Sequence, residues 1–324
     1  MAKNLPQVTN QRVMLITGIT GMIGTHIADQ ATAAGYKVFG LARSSAASRL
    51  GGEDAANVFR CDILDQGALA KVFKKVKPDV VVHMAAQAFN GMSWEMETLT
   101  HQTNYLGTHH VLQCAREITP QAQVLLACSS AEYGAFDIKD CPLKETQPLH
   151  PITPYGVSKM ATEALGFQFF HNYGMNVFLP RLFIHVGTGH PPATAIQNFA
   201  RQLALMSKGK LEPVIKVGNL ESARDFIDVR DGARALLLLL EKGQAGEAIN
   251  ICTGQSHKIS DVLTELIDIS GLDVTVESDP GLHRPSDEPL LVGDNSKLQA
   301  LGWKQQYSLR ETLTAVYQDW VSRI

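Results

Sequence analysis

A chain of 324 residues with 45% apolar and 19% charged content can bury a sizeable core, in one large domain or two smaller ones. Lys and Arg number 29 against 32 Asp and Glu, a formal charge of -3, and no basic run stands out, so nucleic acid is not an expected partner. Cys61, Cys114, Cys128, Cys141 and Cys252 are odd in number and lack C-x-x-C spacing, which argues against a disulfide framework or a zinc site; no metal is expected. Residues 1–12 are polar, and the apolar run 235–240 stops at Glu241, so a soluble cytoplasmic protein without a membrane segment is expected.

Residues 12–17 (RVMLIT) form an apolar run that ends in Gly18. A helical pattern over 22–34 follows, closed by Gly35. Strands are then predicted over 36–41, 58–61, 80–84 and 124–128, with helices over 65–76 and 104–117 between them. Near-continuous apolar strands alternating with helices describe a parallel sheet covered on both faces. The fold class is therefore α/β, a doubly wound Rossmann sheet over residues 1–180, with a smaller C-terminal α/β substrate domain over 181–324, some of whose segments return to the first domain. After Pro180 the pattern shortens, with helices predicted over 195–207, 229–241, 260–270 and 309–321, and strands over 213–217 and 248–252.

Gly18, Gly21 and Gly24 follow a strand and open a helix, where glycine lets backbone N–H groups approach phosphate and the helix N-terminus adds positive potential. Thr20, Met22 and Ile23 lie in the same loop and are assigned with it to the cofactor. An NAD site calls for an acidic residue about 20 positions beyond the loop. Here the second strand runs into Arg43-Ser44-Ser45, a guanidinium and two hydroxyls suited to a 2′-phosphate, so NADP(H) is the expected cofactor. Asp62, with Ile63 beside it, is a candidate for the adenine amino group or for the cap of the following turn.

Thr153-Pro154 starts a helix that Gly174 ends, which puts Tyr155 and Lys159 one turn apart on one face. An ammonium about 5 Å from a phenol, at an effective dielectric of about 20, favours the phenolate by about 3 kcal/mol, or roughly two pKa units. A depressed Tyr155 is therefore expected, ready for proton transfer to an alcohol or ketone. Ser129 follows the strand over 124–128 and is the candidate to hold the carbonyl oxygen, with Ser130 as its neighbour.

These residues are similar to those of the extended short-chain dehydrogenase/reductase (NAD-dependent epimerase/dehydratase) superfamily over nearly the whole chain. The resemblance rests on Thr17 to Gly24, His83-Met84-Ala85-Ala86-Gln87, Asn104, Ser129 with Tyr133-Gly134, Tyr155 to Lys159, and Arg181. It implies a Ser129/Tyr155/Lys159 triad, cofactor contacts at Ala85 and Ala86, and substrate contacts at Gln87, Ser130 and Glu132. Lys216 to Glu221, Arg224-Asp225-Phe226, Asn250 to Gly254, Arg284-Pro285-Ser286 and Leu301-Gly302-Trp303 look like the GDP-mannose 4,6-dehydratase and GDP-4-keto-6-deoxymannose reductase branch. In that branch the arginines matching Arg224 and Arg284 clamp the diphosphate of a nucleotide sugar, here expected to be GDP-linked.

Dehydratases of the branch carry a carboxylate two residues after the catalytic Ser or Thr. That position is Ala131, and only Glu132 next to it could reach in. An NADPH-dependent 4-keto reductase is the leading expectation, with a 4,6-dehydratase or C4 epimerase as the alternative and a non-catalytic NADP-binding protein as a remote one. Ile184 and Thr194-Ala195-Ile196 depart from the branch pattern near the substrate. A homodimer or homotetramer through the helices containing Asn104 and following Tyr155 is expected, with Leu165, Phe169 and Phe170 as either contacts or core.

Overall fold

The structure, a computed structural model, describes residues 11–43, 57–282 and 288–324. It begins with β1 (Val13–Thr17), α1 (Met22–Ala33), β2 (Lys37–Ala42), β3 (Val58–Arg60), α2 (Gln66–Val76) and β4 (Val80–His83). Next come α3 (Glu97–His101), α4 (Gly107–Ile118), β5 (Gln123–Leu126), β6 (Cys128–Ser129), α5 (Pro154–Tyr173), β7 (Asn176–Leu182) and β8 (Ile184–Val186). Then follow α6 (Ala195–Ser207), β9 (Val214–Val217), β10 (Ala223–Asp228), α7 (Val229–Lys242), β11 (Ala248–Ile251) and β12 (Ser256–Lys258). The chain closes with α8 (Ile259–Ser270), β13 (Thr275–Ser278), β14 (Leu290–Leu291), α9 (Ser296–Ala300) and α10 (Leu309–Arg323).

The main sheet is parallel, in the order β11-β7-β5-β4-β1-β2-β3, with β6 paired to β7. Alternate residues of β1 leave on opposite faces: Met14 and Ile16 enter a core with α1 and α7, while Leu15 enters one with α2, α4 and α5. Both faces are thus covered, as the apolar strands require. The order reverses at β1, whose neighbours β2 and β4 lead away in opposite directions. In open sheets of this kind the ligand crevice lies at that reversal, beyond the carboxyl ends of the strands. A third core joins α6, α8 and α10 to β9 and β10, and β10 pairs with β8, β12 and β14.

Strands β7, β8, β10, β12, β13 and β14 and helix α9 were not expected from sequence, and one expected helix has other limits. β7 runs through Pro180 to Leu182, because on one side its pairing passes from β5, ending at Phe178, to β6, beginning at Arg181. Proline, which lacks a donor, falls at that changeover. The helix expected over 104–117 starts earlier, at α3, and passes through a wider π turn, Gln102–Leu106, into α4. Leu165 and Phe169, weighed as intersubunit contacts, are buried in the intramolecular core, and Phe170 packs against it.

Candidate active site

The loop between β1 and α1 closes the crevice floor. Gly18 has φ +70°, and a Cβ there would lie 2.8 Å from the Ala85 backbone nitrogen, so only glycine permits the approach to the end of β4. A Cβ on Gly24 would stand 2.4 Å from the Gly18 carbonyl oxygen, so α1 packs on the loop only with glycine there. Gly21 is the N-cap of α1 with no side-chain cap, and the first turn holds no acidic residue. This bare positive helix end fits the pyrophosphate of a dinucleotide cofactor. Thr20 and Ile23 are half-buried and Met22 is buried in the same turn.

Arg43 stands exposed just past β2, where its carbonyl oxygen accepts Arg60 Nε at 3.3 Å; Ser44 and Ser45 lie outside the described residues. Asp62 uses Oδ1 to accept the Leu64 N–H at 2.9 Å, the turn-capping alternative, while remaining exposed. Ile63 is buried beneath Gly107. Ala85 donates its N–H to Thr17 Oγ1 at 3.1 Å, and Ala86 is half-buried beside it. Gln87 is held through its backbone by the Asn104 amide, at 2.8 and 3.1 Å. Its Nε2, like Oδ1 of nearby Asn90, is buried without a hydrogen-bond partner. Asn90 escaped the sequence reading, because no motif marks it.

The helix carrying Tyr155 and Lys159 is capped as expected: Thr153 Oγ1 accepts the Gly156 N–H at 3.0 Å, Pro154 opens α5, and Gly174 ends it with φ +64°. Tyr155, Lys159 and Ser129 come together at the ends of β5 and β6. Lys159 Nζ lies 5.9 Å from the centroid of the Tyr155 ring and donates to the Ala127 carbonyl oxygen at 2.6 Å. The expected depression of the phenol does not occur. Burial pushes Tyr155 up to about 12, with Glu132 and Cys128 adding to the rise, and only the hydrogen bond from Ser129 works against it. Burial also lowers Lys159.

A buried chain of hydrogen bonds ties the glycine loop to this helix. Thr108 Oγ1 donates to the Asn104 carbonyl oxygen at 2.5 Å, so it must accept from His83 Nε2, 3.0 Å away. His83 Nδ1 then accepts from Thr17 Oγ1 at 2.7 Å. Burial and the Lys159 charge lower His83 to about 3, which keeps it neutral for this relay. Asn104 Nδ2 continues to Ser158 Oγ at 2.8 Å, one residue before Lys159. Thr108 and Ser158 were not foreseen from sequence; the i,i+4 spacing of Asn104 and Thr108 is the signal that could have found Thr108.

Ser129 and Ser130 are buried at the start of a short 3-10 turn, Ser130–Glu132. Glu132, expected to touch substrate, turns inward instead. It is fully buried, and its Oε1 accepts the Ser129 N–H at 2.6 Å, completing a capping box. Ala131 donates its N–H to Ser129 Oγ at 3.2 Å and carries no acid or base. Arg224, on β10, is buried and donates to the carbonyl oxygens of Ala223 and Glu288 at 3.0 and 2.5 Å. Asp225 beside it grips Thr253 and Gly254 by three bonds of 2.7–2.9 Å, which pins β10 to the segment after β11. Arg284 lies outside the described residues, in the segment that precedes Glu288.

With this geometry in place, comparison with known proteins decides the family. A family model for GDP-mannose 4,6 dehydratase matches residues 15–316. The chain belongs to the GDP-mannose 4,6 dehydratase family. It is 30% identical to the GDP-6-deoxy-D-mannose reductase of Pseudomonas aeruginosa, over 96% of this chain and 98% of that protein. It is 27% identical to a GDP-mannose 4,6-dehydratase of Vibrio cholerae, over 92% and 90% of the two chains. The solved structure of RMD from Pseudomonas aeruginosa complexed with NADPH matches with a TM-score of 0.86 at 30% identity, covering 97% of this chain and 100% of that one. The relatives it resembles thus include a reductase as well as a dehydratase. Which chemistry this member performs turns on the groups around Ser129.

Proposed function

We propose that this chain is an NADPH-dependent reductase of the 4-keto group of a 4-keto-6-deoxy nucleotide sugar, with GDP-4-keto-6-deoxymannose as its substrate. The observation that carries the reading is the floor of the crevice: Ser129 and Tyr155 are present, Ala131 stands where a dehydratase of this branch carries its carboxylate, and Glu132 is turned into the core. Elimination of a hydroxyl needs that base. Reduction of a ketone does not.

NADPH supplies the hydride when bound against the loop of Gly18, Gly21 and Gly24, with Arg43 placed for the 2′-phosphate. In this reading Ser129 holds the carbonyl oxygen, and Tyr155 delivers a proton to it as negative charge develops. A phenol at about 12 is in its acid form at neutral pH, the form that a reduction consumes. Lys159 holds the ribose side of the crevice, and Arg224 with Arg284 binds the diphosphate. The similarity to a reductase over nearly the full length of both chains supports the same assignment.

The test is to mix the protein with NADPH and GDP-4-keto-6-deoxymannose and follow the nicotinamide absorbance. One NADPH oxidised for each sugar reduced is expected. Turnover of sugar with no net change in NADPH would give the site to a dehydratase or epimerase.

A further inference from the structure

We propose that Glu132 is a positioning residue held as a neutral carboxylic acid, accepting the Ser129 N–H with one oxygen and giving its own proton to the Glu163 carboxylate with the other. Tyr155, Lys159 and Glu163 succeed one another at four-residue intervals along α5, so Glu163 lies two turns below the phenol on the same face. Its carboxyl meets that of Glu132 and the Cys128 thiol, all within 4.8 Å of one another. Two carboxylates that close in a buried site do not both ionise.

The surrounding bonds say which of them keeps the proton. Arg181 grips Glu163 bidentately, Nε to Oε2 at 2.8 Å and Nη2 to Oε1 at 2.7 Å, which marks Glu163 as the anion. Arg181 Nη1 is spent on the Tyr133 hydroxyl and the Glu145 carbonyl oxygen, at 3.1 and 3.0 Å. Glu132 Oε2 is left 4.0 Å from Arg181 Nε, buried and without a partner that donates to it. The other cation nearby, Lys159, donates to Ala127. A carboxylate so placed would keep a buried oxygen with no hydrogen-bond donor on it, whereas a carboxylic acid has an acceptor waiting in Glu163. Burial first, and then the Glu163 carboxylate, raise Glu132 well above the usual carboxylate range, outweighing the Ser129 N–H bond and the Arg181 charge.

The arrangement solves a conflict. Ser129 needs an acceptor behind its backbone to fix the hydroxyl, yet a negative charge on Glu132 is one of the causes that raise the Tyr155 phenol. A neutral acid provides the acceptor without the charge.

Infrared difference spectroscopy of the intact protein against E132Q at neutral pH reads the proton directly. A carbonyl-stretch band of a protonated carboxyl, present in the parent and absent in E132Q, is expected; its absence from the parent overturns the proposal. Kinetics supply a second arm. E132A orphans the Ser129 N–H and is expected to lower kcat by about tenfold to a hundredfold, with KM moved less than about threefold. E132Q offers the same acceptor and a neutral donor to Glu163. It is expected to recover at least about tenfold of that loss, with the alkaline limb of its pH profile where the parent has it. An E132Q as slow as E132A, or one whose alkaline limb moves to lower pH, overturns the proposal. The kinetic arm rests on the reductase reading and the infrared arm does not, so a failure of one is distinguishable from a failure of the other.

Discussion

Tyr155 shows why a residue pair alone does not set a proton affinity. Spacing on a helix puts the Lys159 ammonium near the phenol, and Coulomb attraction alone argues for a phenolate. In the folded chain the ammonium bonds to Ala127 and sits 5.9 Å from the ring centroid, while burial penalises the phenolate and the hydrogen bond from Ser129 is what opposes it. The phenol therefore keeps its proton, as a donor to a ketone must. Tyr155→Phe removes that proton and little else. Turnover is expected to fall by about 10² to 10⁴, the ordinary contribution of a general acid, while NADPH affinity measured by fluorescence titration stays within about threefold. A kcat within about tenfold of the parent would take the proton-donor role away from Tyr155.

At the scale of elements, the site is held by one buried line of side chains from β1 through β4 and the π turn to α5. His83 is its pivot. Its pKa of about 3 in the fold lies below the ordinary 6.5, so between those values the unfolded chain binds a proton that the native one refuses. The sign follows: the contribution of His83 is complete above pH 6.5 and drains away as pH falls towards about 3. Between pH 6.5 and about 5 the loss amounts to about 2 kcal/mol. Denaturant melts across that window are expected to show stability falling with pH, and falling less steeply in His83→Gln. Equal slopes in the two proteins would mean that His83 is not the neutral relay described.

Legibility from sequence follows the same elements. The limits of α6 and the caps of α5 could be read residue by residue, because Thr153, Pro154 and Gly174 act locally. The glycine loop was equally readable, since its meaning lies in a strand before it and a helix after. The strand through Pro180 and the π turn at Asn104 were not, because each answers to a neighbour distant in sequence: the changeover from β5 to β6, and the backbone of Gln87. Glu132 misled for the same reason. Beside a catalytic serine a carboxylate reads as a group facing substrate, and only the presence of Glu163 and Arg181 behind it turns it inward.

For the whole molecule, the sheet and the smaller layer divide the labour. The sheet reverses its order at β1 and so opens one crevice, which takes the cofactor loop from β1, the His83 to Gln87 segment from β4 and the Ser129 turn from β6. The layer built on β10 carries Arg224, proposed to bind the diphosphate, and is tied down through Asp225 to the chain beyond β11. In the proposed function, hydride and proton meet at one carbonyl while the second layer holds the nucleotide. The most direct measurement is the fate of a label: NADPH carrying deuterium at the transferred position of its nicotinamide ring is supplied with GDP-4-keto-6-deoxymannose, and the product sugar is read by NMR and mass spectrometry. One deuterium at C4 of every product molecule is the expected result. Product formed without deuterium at C4, or with the hydrogen moved from one sugar carbon to another, would contradict the reductase assignment.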